Sequence, residues 1–137
     1  MISYNNIDID FLLKNKLKVK KWILETIKEE SKELSYISFN FCSDAYILEL
    51  NISSLNHNFY TDIITFELNN KNESIEGDIY ISIDRIRDNA NQLNELFINE
   101  LYRVIIHGVL HLCGYKDKTK KDSQLMREKE NFYLNKL

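Results

Sequence analysis

The sequence predicts an α+β fold, a small mixed β-sheet of about four strands packed with about five helices. Three observations predict it. Stretches in which apolar and polar residues alternate lie between stretches of helical periodicity. One stretch, residues 96–113, is apolar on most sides and belongs at the centre of the core as a buried helix. The length, 137 residues with 44% hydrophobic and 28% charged, is that of a single soluble domain, here spanning 1–137.

With three glycines and no proline, element boundaries must be set by Asn, Ser, Asp and Gly. Residues 17–33 read as a helix, because Val19, Ile23 and Ile27 recur on one face while Lys and Glu fill the other. Residues 35–41, SYISFNF, alternate as a strand. Ser43 or Asp44 can cap a short helix carrying Ile47 and Leu50. Asp62–Phe66 is β-branched and reads as a strand, Asn69–Glu76 as a polar turn, and Gly77–Ser82 as the hairpin partner. Ser82 or Asp84 then caps a helix with Ile83, Ile86, Ala90 and Leu93 on one face. The central helix follows, and Gly114 is placed to end it in a left-handed cap. A charged helix closes the chain over 119–135, with Leu125 and Phe132 on one stripe and Met126 and Tyr133 beside it.

Composition excludes several function classes. There is no run of 18 apolar residues to span a membrane, and the N-terminus has no basic segment followed by an apolar one. Cys42 and Cys113 allow at most one bridge, which excludes a disulfide scaffold and predicts a reduced, cytoplasmic setting. The net charge of −3 is not the footprint of a protein that grips nucleic acid over a broad basic face, though it leaves room for one local patch.

The chemistry centres on histidine, of which there are three. His107 and His111 lie four apart on the central helix, so their side chains point the same way and can share a metal ion. The alternative is a pair of core histidines satisfied by backbone groups. Gly108 between them is poor for a helix interior, by about 1 kcal/mol against Ala, and makes sense where something approaches the helix closely. The turn Gly114-Tyr115-Lys116-Asp117 can fold a carboxylate back toward the same face, which would complete a site of two histidines and Asp117 with open positions for water. Zinc peptidase chemistry is excluded, because its general-base Glu position holds Gly108.

The run His107-Gly-Val-Leu-His111-Leu-Cys-Gly-Tyr-Lys-Asp117 resembles the HGxLHLxGYDH signature of the YbeY endoribonucleases, bacterial factors of ribosomal RNA maturation and ribosome quality control. Leu50-Asn51, Thr61–Phe66 and Gly77–Ser82 match that family's LN, TDVLSF and GDI segments in order, and Glu100 falls where the family often has Glu. The resemblance implies one zinc ion at the mouth of a cleft, single-strand-specific endoribonuclease activity in late 16S rRNA 3′-end maturation, and the small ribosomal subunit as partner. A monomeric protein without a membrane role is expected. Two positions depart from the pattern: Asp117 stands at the third histidine, and Leu55 at an arginine. A carboxylate ligand lowers the site's positive charge and makes iron or manganese plausible beside zinc. Leucine cannot bind a phosphate as arginine does.

His57 lies just beyond Leu55 and is read either as a polar rim contact, a phosphate ligand or proton donor, or as a solvated loop residue. Lys116, Lys118, Lys120 and Lys121 follow the histidines closely and are read either as an RNA-phosphate patch or as a solvated face. Lys14, Lys16, Lys18, Lys20 and Lys21 spread around the first helix and its approach and read as solvated, with a positive rim as the secondary reading. Glu100 is read as a hydrogen-bond partner of a ligand histidine or as an ion pair with Arg103. Asp62 and Asp78 are expected to start strands and hold turns, and Cys113 to pack in the core. The fifteen Tyr and Phe are spaced mostly as core residues, and no stacking platform for bases stands out. The rival functions are a non-catalytic ribosome-associated RNA-binding or assembly factor with a structural metal, and a hydrolase of small phosphoesters.

Overall fold

The computed structural model describes residues 1–68 and 74–137. Along the chain run β1 (Ile2–Asn6), α1 (Lys16–Glu29), β2 (Glu33–Cys42), α2 (Asp44–Leu55), β3 (Ile63–Glu67), β4 (Ser74–Ser82), α3 (Ile83–Gln92), α4 (Phe97–Leu112) and α5 (Lys120–Leu134). The sheet order is β1-β2-β4-β3. β1 and β4 each pair parallel with β2, and β3 pairs antiparallel with β4, so the sheet is mixed and the hairpin expected between Asp62–Phe66 and Gly77–Ser82 is present. Of the expected turn at Asn69–Glu76, residues 69–73 lie outside the described residues, and Ser74 already belongs to β4.

The strand period of two assigns the faces. Ile37, Phe39 and Phe41 of β2 and Ile75, Ile79 and Ile81 of β4 turn to one side, where α1, α3, α4 and α5 bury them in the main core. The other side carries a smaller cluster of Cys42, Ile47 and Ile64 with partly buried residues from α2 and β3 around it. Each fully buried aliphatic or aromatic side chain contributes about 1.5–3 kcal/mol relative to exposure. α4 is the central helix, with Leu101, Ile105, Ile106, Val109 and Leu110 fully buried.

Close approach explains two of the glycines. A Cβ on Gly108 would come within 2.9 Å of Ile63 and 3.0 Å of Ile79, so α4 lies directly on β3 and β4. At Gly77 a Cβ would meet Leu112 at 2.7 Å and the backbone carbonyl of Phe66 at 2.9 Å. That carbonyl is fixed in the sheet and cannot yield. Gly77→Ala is therefore expected to cost about 1–3 kcal/mol, the range for overpacking. A lower urea midpoint at unchanged slope would show it, and an unshifted midpoint would contradict it.

Several expectations shift in detail. Strand β1 has no counterpart in the sequence reading. α1 stops at Glu29 rather than running to 33, because Ser31 takes a left-handed conformation (φ 59°) and Glu33 enters β2. Asn56 and Asn94 take the same conformation after α2 and α3, where the sequence has no glycine, and Asn15 takes it at the start of α1. Ser43 and Ser82, not the neighbouring aspartates, accept the capping hydrogen bonds, from Tyr46 N–H and Arg85 N–H. Leu93 ends α3 and is exposed. Asp78 starts no strand: it sits inside β4 and accepts hydrogen bonds from Tyr36 and Ser38 across the sheet. Cys42 and Cys113 are free and buried, and burial pushes both thiols up to about 12, which leaves them as inert packing residues.

Candidate metal centre and cleft

α4 delivers His107 and His111 from a buried helix to its partly open side, where their side chains are 21% and 26% exposed. The helix then ends in a hydrogen-bonding pattern that only a residue at positive φ permits. Gly114 (φ 109°) donates to the His111 carbonyl and Tyr115 N–H donates to the Leu110 carbonyl, each at 3.0 Å. This cap reverses the chain. It sets the Tyr115 carbonyl 2.9 Å from His111 Nδ1 and returns Asp117 to the histidines.

The turn itself is anchored. Glu30, just past α1, accepts hydrogen bonds from the Tyr115 hydroxyl at 2.7 Å and from the Tyr133 hydroxyl, and Lys129 pairs with it at 3.3 Å. Burial alone would raise the Glu30 pKa, but these donors outweigh it and hold the carboxyl below its ordinary range.

His107 Nδ1 lies 2.7 Å from Glu130 Oε2, on α5. Each Nδ1 thus faces an acceptor, a carboxylate or a carbonyl, and so carries its ring's proton when the ring is neutral. Both Nε2 lone pairs are then left for one shared point. The two Nε2 atoms are 3.0 Å apart, and Asp117 Oδ2 is 3.2 Å from one and 3.3 Å from the other. Tetrahedral ligands at about 2.0–2.1 Å from an ion stand about 3.3 Å from each other, so the triangle matches one face of such a site. These three residues form a group that could hold a metal ion.

Glu130 is the functional residue that the sequence reading missed. Its side chain is only 4% exposed, and it accepts from His107 and from Arg103 Nη1 at 2.9 Å. Burial would raise its pKa, but those hydrogen bonds and the nearby charges hold it below the ordinary value. His107 responds oppositely: burial pushes it down, and the bond to Glu130 with the charges of Glu130 and Asp117 brings it above the ordinary value. His111 is lowered by burial and by the neighbouring His107 charge, against the pull of Asp117. Glu100 takes neither of its expected roles, since Glu130 occupies His107 Nδ1 and Arg103 bonds to Glu130 and Asn131. Buried at 6% exposure, Glu100 instead lines a cavity of about 310 Å³ beside His107, together with Asp62, Arg103, Arg127 and Glu130.

A larger cleft of about 820 Å³ is lined by His107, His111 and Asp117. His57, Leu55, Lys116 and Lys118 line it too, while Lys120 and Lys121 begin α5 and are not among its lining residues. Asp62 borders both spaces and accepts from Asn89 at 3.3 Å; burial raises its pKa against the opposing charge of His107. Among the described residues no helix is long and apolar enough to cross a membrane.

Comparison with known proteins agrees with this picture. Residues 2–137 match the family model described as Endoribonuclease YbeY. Among curated relatives, the endoribonuclease YbeY of Christiangramia forsetii is 47% identical over 88% of this chain and 84% of its own. That of Karelsulcia muelleri is 44% identical over 98% and 94%. The solution structure of TM1509 from Thermotoga maritima superposes with a TM-score of 0.69 at 30% identity, over 97% of this chain and 86% of the other. With the family match spanning nearly the whole chain, this protein belongs to the endoribonuclease YbeY family, a family of RNA-cleaving enzymes.

Proposed function

We propose that the chain is a metal-dependent endoribonuclease specific for single-stranded RNA, acting in late 16S rRNA 3′-end maturation and ribosome quality control. Its partners are then ribosomal RNA and the small ribosomal subunit, and it works in the cytoplasm as a monomer. The observation that carries this reading is the convergence of His107 Nε2, His111 Nε2 and Asp117 Oδ2 on one point at the wall of the large cleft. Two imidazoles and a carboxylate suit zinc, one ion per chain, with iron or manganese as alternative occupants. The whole of 1–137 acts as one domain, a reading supported by a core cluster that draws on residues from Ile2 to Tyr133.

A bound ion would supply Lewis-acid polarisation of the phosphate, activation of a water, or both. The chain's own groups do the rest. Glu130 and the Tyr115 carbonyl orient the two rings by holding their Nδ1 protons. Lys116 and Lys118, exposed in the cleft, meet the RNA backbone, with Lys120 and Lys121 extending the patch toward α5. His57 supplies a polar contact at the rim, as phosphate ligand or proton donor, where Leu55 is 43% exposed and cannot. His57→Ala is expected to lower kcat/KM on single-stranded RNA by about 10²-fold, within the range for a positioned proton-transfer group. Cleavage at the wild-type rate would sink this role.

Metal uptake has a sign set by His107. Its Nε2 must be free of a proton to bind, and its pKa lies above the ordinary histidine value. Affinity should therefore fall on acidification, starting above the ordinary histidine range, with proton release on binding. A competition titration with a chromophoric chelator measures it, and a flat profile would contradict the assignment. The activity itself is tested with protein stripped by chelator and then reloaded: cleavage of a single-stranded oligonucleotide, absent without metal, restored with it and absent on the matching duplex, is the expected result. Equal cleavage with and without metal would contradict it.

A further inference from the structure

The cleft has an aromatic wall beside His107 and His111, built from the ring faces of two residues. In the connection between α2 and β3, the His57 and Phe59 rings stack with centroids 5.2 Å apart and planes 19° from parallel. Both residues are exposed, Phe59 at 55%, and both line the same cleft as His107, His111 and Asp117. One exposed aromatic is ordinary. A stacked pair held open beside a reactive centre is less so, and the connection that carries it is firmly tied. Asn51, 2% exposed, donates from Nδ2 to the Phe59 carbonyl at 2.9 Å, and its own carbonyl accepts from His57 N–H at 3.1 Å. Next in the chain, Tyr60 lies under the Arg85 guanidinium, 5.1 Å from its ring centroid, and Arg85 is itself bonded to Asp44 at 2.5 Å. The pair is thus presented to the cleft with little ordering left to lose on binding.

We propose that His57 and Phe59 form a stacking platform for one unpaired nucleobase of the RNA strand, while Lys116 and Lys118 in the same cleft meet the adjoining phosphates. The proposal rests on the endoribonuclease reading above and adds to it the physical source of single-strand selectivity. A base within a helix has both faces covered by its neighbours, whereas a splayed base offers a face to an aromatic ring. Stacking uses the ring faces and leaves the His57 nitrogens at the edge for the rim contact.

The test is binding, read by fluorescence anisotropy of a labelled single-stranded RNA, beside an otherwise identical set in which one abasic position is walked along the strand. For wild-type protein, one abasic register is expected to weaken binding by about 5- to 150-fold, the range for one base stacked on an aromatic residue. Phe59→Ala should show a similar loss on the intact strand and no further loss at that register. Phe59→Tyr should retain both affinity and register dependence, and Phe59→Leu, apolar but without a π face, should retain neither. Phe59→Ala with wild-type affinity and undiminished register dependence would overturn the platform. Cleavage, measured separately, keeps the two ideas apart. Base-dependent binding without cleavage would retain the platform and remove the nuclease reading. Cleavage with binding indifferent to Phe59 would do the reverse. Absence of RNA binding would remove the platform outright.

Discussion

Alanine at His111 is expected to lower RNA cleavage by more than about 100-fold and to abolish tight metal binding while the protein stays folded. Loss of a group that merely orients a ligand costs about 10- to 100-fold, so deletion of a ligand should exceed that range. The geometry supports the size of the effect. His111 Nε2 is one corner of a triangle with sides of 3.0, 3.2 and 3.3 Å, and without it His107 and Asp117 are two donors, fewer than a catalytic zinc site uses. The fold should survive, because the His111 side chain is 26% exposed and the neighbouring core positions Leu110 and Leu112 are untouched. Circular dichroism and the unfolding midpoint separate the two effects. A His111→Ala protein that cleaves RNA at the wild-type rate with metal present would contradict the assignment of the site.

Glu130→Ala should do two things at once. Metal affinity should fall by about 10- to 100-fold, because His107 loses the acceptor that fixes its proton on Nδ1 and its Nε2 lone pair toward the shared point. Stability should fall by about 1.5–3 kcal/mol, the range for a hydrogen bond to a charged group, because Arg103, 24% exposed, loses its carboxylate but keeps Asn131 and solvent. The pH dependence fixes the sign. Glu130 has a folded-state pKa below its ordinary value, so its contribution is present above that ordinary value and is lost as pH falls through the lowered one. The gap in stability between wild type and Glu130→Ala should therefore close as pH falls through the carboxylate range. Metal competition and urea unfolding across pH measure both parts, and a variant with unchanged metal affinity would refute the link between Glu130 and the site.

The three candidate ligands of this centre are readable in the sequence, and the carboxylate behind them is not. His107 and His111 share one helix face, and Asp117 is tied to them by a cap whose glycine is visible in the chain. Local rules therefore reach all three. Glu130 comes from a different helix, and only tertiary packing brings it to His107. One signal was available: Glu130 lies on the row of Met126 and Tyr133, where a charge among buried residues demands a partner. That row competed with Leu125 and Phe132, both of which the fold leaves 44% exposed. Periodicity along one helix cannot choose between two apolar rows when the choice belongs to the surface it packs against. β1 escaped for a related reason. It is short, and only Ile2 is buried, so its pairing with β2 and not its own pattern makes it a strand. The His57–Phe59 stack depends on Asn51, several residues earlier in α2, which holds the backbone of both.

The most direct measurement is the metal content of tag-free protein, purified without chelator or added metal, by elemental mass spectrometry, for the wild type and Asp117→Ala. About one equivalent of zinc, iron or manganese per wild-type chain, lost or much weakened in the variant, is the predicted result. No bound metal and no specific uptake on titration would contradict the account, and the two histidines would then be structural residues of an RNA-binding surface.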